Sequence, residues 1–278
     1  MWKSTVISTT SWNLSGSNCV LLSYQQFNVG EGIPLVVIHG LFGAADNWRT
    51  HVVRWSEERH VISLDLRNHG HSFHAPDMSY AHMADDVVAL LAHLHIDQAH
   101  ILGHSMGGKV AAQLALNHPH LVASLMLADI APVPYAPRHQ DILAGLKAVD
   151  LVNLKSRKQG LEVLNTYEAD SKVCQFLIKS LYRTETKDFA WRFNLTVIEE
   201  QYDNISAAPT GHTYQGPVLV LKGEKSAYIL PEHRPAFTSL LPNTQLKVMT
   251  DCGHWLHAEK PDLFVRLVSR FIRDTQSQ

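Results

Sequence analysis

The sequence predicts an α/β protein: a mostly parallel sheet of about eight strands, flanked by helices and interrupted by a helical insertion. Short apolar runs alternate with amphipathic stretches, a pattern typical of a parallel sheet that is covered on both faces. A glycine-rich turn at 103–108 joins one of these runs to a helix. A long stretch without strand-like runs, 133–214, separates the last strands from the earlier ones.

Composition narrows the class of protein. The chain has 278 residues, 45% of them hydrophobic, and a net charge of −2, which fits one large domain or a core with an insertion. The sequence contains no stripe of basic residues, so we expect no nucleic-acid partner. The stretch 1–16 lacks the apolar core of a secretory signal, and no apolar run is long enough to span a membrane. Three cysteines without short spacing predict reduced thiols and a cytoplasmic location.

The 18 histidines do not form a recognisable metal site, because no acidic or cysteine partners complete a ligand set. We therefore expect neither a metal nor a cofactor.

The amino-terminal half follows the alternation closely. Helix 80–94 carries its apolar residues at helical spacing, whereas Asp85 and Asp86 fall off that face and are expected to be solvated. The predicted elements are an edge strand 19–27, a buried strand 34–38, a helix 46–55 capped by Asp46, a strand 61–64, the helix 80–94, a strand 99–102, a helix 109–117 and a strand 121–127.

The carboxy-terminal half begins with the insertion. The alternation of strands and helices stops at the start of 133–214 and resumes after its end. We therefore expect 133–214 to cover a core made of 1–132 and 215–278. The predicted elements are insertion helices 140–148, 158–168, 171–182 and 189–201, then a strand 218–221, a helix 232–240, a strand 245–249 and a last helix from Pro261.

The turn Gly103-His104-Ser105-Met106-Gly107-Gly108 organises the chemistry. A Gly-x-Ser-x-Gly turn between a strand and a helix is typical of a nucleophile elbow, whose sharp geometry requires small neighbours. A serine hydroxyl needs a base, and His254 lies in a glycine-bearing loop after the last predicted strand. Backbone N–H groups of Met106, after the nucleophile, and Leu41, in the early strand–helix loop, are the candidate oxyanion donors.

Six stretches together resemble the α/β-hydrolases with a helical cap, and more closely the small YbfF-type carboxylesterases, whose relatives include a mitochondrial α/β-hydrolase. This resemblance implies hydrolysis of esters with modest acyl groups, with acyl thioesters as a further substrate class, and no cofactor. The stretches are 39–43, 65–70, 103–109, 129–133, 191–194 and 253–261.

The triad acid departs from the wider superfamily. There, the acid usually follows the strand represented here by 218–221, but this loop offers Ser226 at the expected position. Asp129, after the preceding strand, is therefore the candidate, as the family resemblance also suggests. Glu224 is the alternative, although an exposed turn carboxylate is its simpler interpretation. Ser226 is expected to be an auxiliary residue near the triad.

An aromatic and apolar roof over the site would favour acyl chains by burial. Arg138 is a candidate contact for an anionic substrate group. The candidate pocket residues are Phe42, His104, Tyr135, Arg138, Trp191, Tyr228 and Trp255.

These features predict a serine carboxylesterase that acts on short to medium acyl esters through an acyl-enzyme. The alternatives are a serine hydrolase acting on acyl thioesters or carbon–carbon bonds, and a non-catalytic ligand-binding homologue. Ser105 at the elbow disfavours dehalogenase chemistry, which uses aspartate there. The expected partner is a small acyl ester or thioester.

Overall fold

The structure is a computed structural model that describes residues 5–7, 10–12 and 18–276. The polar amino-terminal stretch 1–16 therefore lies largely outside the described residues, as does the side chain of Cys19, whereas Cys174 and Cys252 are buried free thiols. The strands are β1 (Thr5–Ile7), β2 (Thr10–Trp12), β3 (Asn18–Val20), β4 (Tyr24–Phe27), β5 (Leu35–Ile38), β6 (Val61–Leu64), β7 (Ala99–His104), β8 (Val122–Ala128), β9 (Leu181–Arg183), β10 (Phe189–Trp191), β11 (Val218–Gly223) and β12 (Thr244–Met249).

Helices alternate with these strands. Short 3₁₀ turns at Ala45–Trp48, Pro119–Leu121 and Pro231–His233 precede α1, β8 and α9. The α-helices are α1 (Arg49–Trp55), α2 (Tyr80–His93), α3 (Met106–Asn117), α4 (Gln140–Ala148), α5 (Arg157–Leu164), α6 (Ser171–Lys179), α7 (Leu195–Glu200), α8 (Tyr202–Ser206), α9 (Arg234–Leu240), α10 (Leu256–Glu259) and α11 (Pro261–Gln276).

Within the described residues, eight strands form one sheet in the order β1-β4-β6-β5-β7-β8-β11-β12. β4 is antiparallel to β1 and β6, and all the other pairs are parallel. The prediction of a mostly parallel sheet of about eight strands is confirmed. Because the carboxyl ends of parallel strands meet at one edge, the loops after β5, β7, β8 and β12 converge there.

The buried strand β5 shows how the two faces are covered. Val36 and Ile38 pack in the core that includes α2 and α3, whereas Leu35 and Val37 pack on the opposite face with residues of α1 and α11. Successive strand residues point to opposite faces, so a continuous apolar run requires helices on both sides.

Four sequence predictions need correction. The strand predicted at 19–27 is two strands, and β4 is not an edge because β1 pairs with its outer side. The helix predicted at 46–55 begins with a 3₁₀ turn whose first flanking residue is Ala44, and Asp46 instead accepts a hydrogen bond from Gln25. Asp86 is not solvated but forms a half-buried ion pair with Arg67, with an N···O distance of 2.6 Å.

The fourth correction concerns the insertion. The helix 140–148 is confirmed, but the stretches predicted as helices at 171–182 and 189–201 are helical only in α6 and α7. Between them β9 and β10 form an antiparallel hairpin. Its turn is closed by the Thr184 N–H, which donates to the Asp188 carbonyl, and by Lys187 with a positive φ of 68°. Helical spacing of apolar residues did not reveal this turn, which depends on local polar bonds.

Candidate active site

Ser105 lies in a strained turn between β7 and α3. Its φ and ψ are 53° and −121°, a region that residues with a side chain seldom adopt. Its N–H donates to the Ala128 carbonyl at 3.1 Å, which ties the turn to the end of β8. The Ser105 side chain is thereby held at the carboxyl edge of the sheet, at the start of α3.

Three glycines make this turn possible because no side chain fits beside it. A Cβ at Gly103 would lie 2.1 Å from the Gly107 carbonyl oxygen, and one at Gly107 would lie 2.3 Å from the His39 carbonyl oxygen. A Cβ at Gly108 would lie 2.5 Å from the Ile130 side chain. The first two contacts are with backbone, so the strand and helix themselves would have to move.

Gly103→Ala is therefore expected to destabilise the protein by at least about 2 kcal/mol, since overpacking against backbone has few routes of relief. Urea denaturation measures this change. Gly30→Ala is the matched control, because a Cβ there meets only the Asn28 carbonyl oxygen at 3.9 Å. That control should stay within about 0.5 kcal/mol of the wild type. Equal stability of the two variants would contradict the steric account of the turn.

Asp129 and His254 form a partly buried pair beside the elbow. Asp129 follows β8, is fully buried, and places Oδ2 2.8 Å from His254 Nδ1. Its Oδ1 accepts the Gly223 N–H at 2.9 Å, and the Ser226 hydroxyl donates to Oδ2. An ionised carboxylate only accepts hydrogen bonds, so His254 Nδ1 carries a proton and Nε2 is left with a lone pair.

The alternative acid is turned away from this pair. Glu224 is exposed, and its Oε2 accepts the Asp251 N–H at 2.8 Å across the turn between β11 and the loop after β12. Ser226 lies where a carboxylate was expected from the superfamily, and it supports Asp129 through a hydrogen bond instead of facing His254 directly.

His254 is held from two further sides. Its ring stacks on Tyr228 with centroids 3.8 Å apart and planes 16° from parallel. The backbone carbonyl of His254 accepts a hydrogen bond from His104 Nε2 at 2.9 Å. Burial holds the pKa of His104 well below its usual range, which keeps that ring neutral with its proton on Nε2.

Ser105 and His254 line the same cavity. No residue in the described part of the chain hydrogen-bonds the Ser105 hydroxyl, so it is available to a ligand. The hydrogen bond between a nucleophile and its base is often long or absent without substrate, and it tightens when substrate binds.

The two candidate oxyanion donors, Leu41 and Met106, line the second of two cavities that Ser105 also lines. Met106 is the first residue of α3, where backbone N–H groups have no partner within the helix. No acceptor in the described chain bonds the N–H of Met106 or that of Leu41. The Leu41 loop is braced by two histidines. The Phe42 N–H donates to His69 Nε2 at 3.2 Å, and the Leu66 N–H donates to His39 Nε2 at 3.0 Å.

Burial explains why these histidines accept hydrogen bonds. It lowers the pKa of His39 to about 4 and that of His69 to about 3, so both rings stay neutral near pH 7 and keep an acceptor nitrogen. The brace to the Leu41 loop required the tertiary structure to be seen.

Two cavities meet at Ser105. The first has a core wall that contains His104, His257 and Trp255, and a wall from the insertion that contains Phe176. The remaining lining residues of this first cavity are His39, Gly40, Leu41, Phe42, Gly43, Asn47, Trp48, Ser105, His139, Ile142, Val173, Leu177 and His254.

The second cavity contains two basic side chains, Lys109 and Arg138. Lys109 is almost fully buried there, and its ammonium donates to the Ser206 and Ala207 carbonyls at 3.1 and 2.6 Å. Burial lowers the pKa of Lys109 to about 7. The Arg138 guanidinium lies over the rings of Tyr135 and Tyr228, with distances to the ring centroids of 5.1 and 4.9 Å.

Six of the seven predicted pocket residues line one of these cavities, whereas Trp191 lines neither. Its indole is buried and stacks on Phe193, which in turn packs against Phe42. It therefore supports the cavity wall from behind. The first cavity contains Phe42, His104 and Trp255, and the second contains Tyr135, Arg138 and Tyr228.

Sequence reasoning missed several lining residues. Lys109 falls within the elbow motif, but a lysine in a helix is normally taken as exposed. Phe176 and Leu177 were treated only as part of an insertion helix, and His257 only as part of a family motif. The available signal for His257 was its place three residues after His254 in the chain.

No helix in the described residues combines the length and apolarity needed to cross a bilayer.

Comparisons with known proteins agree with this architecture. The family model described as α/β hydrolase fold matches residues 33–261. Esterase YbfF of Escherichia coli is 35% identical over 89% of this chain and 96% of its own length. The sn-1-specific diacylglycerol lipase ABHD11 of Mus musculus is 34% identical over 90% and 85% of the two chains. A solved marine microorganism esterase superposes with a TM-score of 0.87 at 35% identity, covering 90% of this chain and 99% of that one. This chain belongs to the α/β-hydrolase fold family.

Proposed function

We propose that this protein is a serine carboxylesterase that hydrolyses short to medium acyl esters through an acyl-enzyme. One observation carries the proposal. Asp129 Oδ2 lies 2.8 Å from His254 Nδ1, and His254 lines a cavity that Ser105 also lines. The relatives named as an esterase and a diacylglycerol lipase support the same class of reaction.

Acylation would begin when Ser105 Oγ attacks the ester carbonyl carbon while His254 Nε2 takes the hydroxyl proton. The carbonyl oxygen becomes negatively charged, and the N–H groups of Leu41 and Met106 would hold it. Asp129 stabilises the imidazolium that forms. The tetrahedral intermediate then expels the alcohol, which receives its proton from His254.

Deacylation would repeat these steps with water. His254 Nε2 takes a proton from water as the water oxygen attacks the acyl carbon of the ester with Ser105. The carbonyl oxygen again becomes an oxyanion between the two N–H groups. When the intermediate collapses, the proton passes to Ser105 Oγ and the carboxylic acid leaves. No group other than substrate and water enters this balance.

Covalent labelling tests the nucleophile. A fluorophosphonate should add once to the native enzyme, and peptide mass analysis should place the adduct on Ser105. Heat-unfolded enzyme is the control, since an unfolded serine has no base to activate it. Labelling of a different residue, or equal labelling of native and unfolded protein, would contradict the proposal.

Acyl length should give a second, graded result. Each methylene buried in the first cavity adds about 0.8 kcal/mol, or roughly fourfold in kcat/KM, until the cavity is filled. We expect an optimum at short to medium chains. Val173→Ala enlarges the first cavity on its insertion side and should move this optimum to longer chains. Val152→Ala is the control and should not move it, because Val152 is 87% exposed. A steady rise to long chains in the wild type would indicate an open groove.

Acyl thioesters are a second candidate substrate class. The observation that favours them is the second cavity, where Lys109 and Arg138 are present and no lining residue is acidic. A thiol leaving group attached to an anionic carrier would meet the Arg138 guanidinium, and Lys109 in its protonated form. Comparing kcat/KM for an ester and a thioester of the same acyl group, with neutral and anionic leaving groups, separates the two classes.

A further inference from the structure

The histidine that follows the proposed base three residues later has no use in the mechanism above. His257 lies in α10, is only 7% exposed and lines the first cavity. Its Nδ1 is buried without a hydrogen-bond partner among the described residues. No described group bonds its Nε2 either. Buried polar groups without partners are uncommon, because an unpaired group loses the hydrogen bonds that it makes with water in the unfolded chain.

The ring cannot readily turn to find a partner. It stacks on Trp48 with centroids 4.6 Å apart and planes 22° from parallel. Its other side meets the edge of His104 at 4.5 Å between centroids. The backbone carbonyl of His257 is also bound to His51 Nε2 at 2.9 Å. The orientation of the imidazole is therefore set by two ring contacts and by the hydrogen bond that holds its backbone.

The imidazole is uncharged. Burial, together with the charges that His51 and His254 would carry, lowers the pKa of His257 to about 3. A neutral imidazole has one N–H and one lone pair. Because an unpaired lone pair is tolerated better than an unpaired N–H, the proton belongs on Nε2 and the lone pair on buried Nδ1. A ligand in the cavity would then meet a hydrogen-bond donor.

The position of this donor indicates which part of a substrate it meets. The His257 ring is next to His104, which directly precedes Ser105. Across the cavity, Val173, Phe176 and Leu177 form an apolar wall. The cavity is thus apolar along α6, whereas its core side offers the His257 imidazole as an unpaired donor besides the Ser105 hydroxyl and the Leu41 N–H, which the proposed mechanism already uses. An acyl group attached to Ser105 would lie between the two.

We propose that the first cavity selects acyl groups that carry an oxygen acceptor, such as a hydroxyl, keto or ether oxygen, and that His257 is the specificity-determining residue. This inference rests on the proposed function, because it assigns the acyl side of the same site. A purely alkyl chain leaves the imidazole unpaired. An oxygen in the chain accepts its Nε2–H, while the rest of the chain packs on the insertion wall.

Matched esters test this directly. Pairs of 4-nitrophenyl esters differ only by oxygen in place of one methylene: 3-methoxypropanoate against pentanoate, and 4-methoxybutanoate against hexanoate. Each kcat/KM is divided by the rate of alkaline hydrolysis of the same ester, which removes intrinsic reactivity. The readout is the corrected kcat/KM of the ether ester divided by that of the matched alkyl ester, called the oxygen-to-methylene ratio. A change that affects both esters equally cancels in this ratio. The wild type should give a ratio above one for at least one pair.

Variants at His257 assign the preference to this side chain. His257→Phe keeps an aromatic ring on Trp48 but removes both nitrogens, and it should lower the ratio about tenfold, the effect of one lost hydrogen bond. His257→Gln keeps a donor and should restore part of it. Phe176→Leu is the control on the apolar wall, where a change in shape should alter the preferred length but not the ratio.

A binding measurement covers the case in which a His257 variant does not fold. Calorimetry with the Ser105→Ala protein should show tighter binding of 4-methoxybutanoate than of hexanoate. A corrected ratio of one in an active wild type, or the same ratio in His257→Phe, would overturn this inference alone. Absence of ester turnover and of Ser105 labelling would instead overturn the proposed function. Equal binding of the two acids would then overturn the acyl-side assignment as well.

Discussion

Ser105→Ala is expected to lower kcat for ester hydrolysis by about 10⁶-fold, the loss seen when the nucleophile of a triad is removed. The reason is that no other group replaces the covalent step: His254 can still act on water, but water is not held at the elbow. The residual rate would come from the N–H groups of Leu41 and Met106 and from substrate binding. Steady-state kinetics on a short-chain aryl ester measures the effect.

Two controls protect this result. Ser56→Ala removes a serine whose hydroxyl donates only to the Val53 carbonyl within α1, and it should leave kcat within about threefold. The Ser105→Ala protein should also be at least as stable to thermal unfolding as the wild type, because the substitution removes no packing contact on which the fold depends. If turnover in Ser105→Ala remained near the wild-type rate, Ser105 would not be the nucleophile.

Asp129→Asn should lower kcat by about 10⁴-fold with little change in stability. The amide can donate to His254 Nδ1, which would favour the tautomer with its proton on Nε2 and remove the lone pair that Ser105 needs. It also removes the negative charge that stabilises the imidazolium. Because both effects act on chemistry and not on binding, KM should change far less than kcat.

Glu224→Gln is the matched control, since it makes the same acid-to-amide change one strand away. Glu224 bonds only the Asp251 N–H among side-chain contacts of the described residues, so kcat should stay within about tenfold, or about 1.4 kcal/mol in the barrier. Ser226→Ala removes one donor to the Asp129 carboxylate and should fall between the two. A crippled Glu224→Gln beside a mild Asp129→Asn would reverse the assignment of the acid.

The fold was largely accessible from the sequence because its signals are local. Parallel strands buried on both faces require continuous apolar runs, and the strands at 35–38 and 61–64 appear where those runs predict them. Elements with mixed signals were predicted less well. The hairpin of β9 and β10 lies in a stretch with helical spacing, and β1 was not predicted because a three-residue strand carries almost no periodicity.

The elbow and the order of the chemical residues were also determined by the sequence. The turn at Ser105 needs glycine at 103, 107 and 108 because backbone atoms occupy the space that a Cβ would take. A steric requirement of this kind restricts the residue types next to the turn in the chain, so a single sequence is enough to reveal it. The sequence likewise determined that a histidine follows the last strand, at 254.

Only the tertiary structure decided which groups meet across the sheet edge. Asp129 and His254 are 125 residues apart, and their contact depends on β8 and β12 lying on either side of β11 and on the path of the loop after β12. The same holds for the burial of Lys109 and the unpaired imidazole of His257. Burial and hydrogen-bond pairing are properties of the packed chain, since they depend on which distant groups exclude water from a side chain, and residue type alone does not determine them.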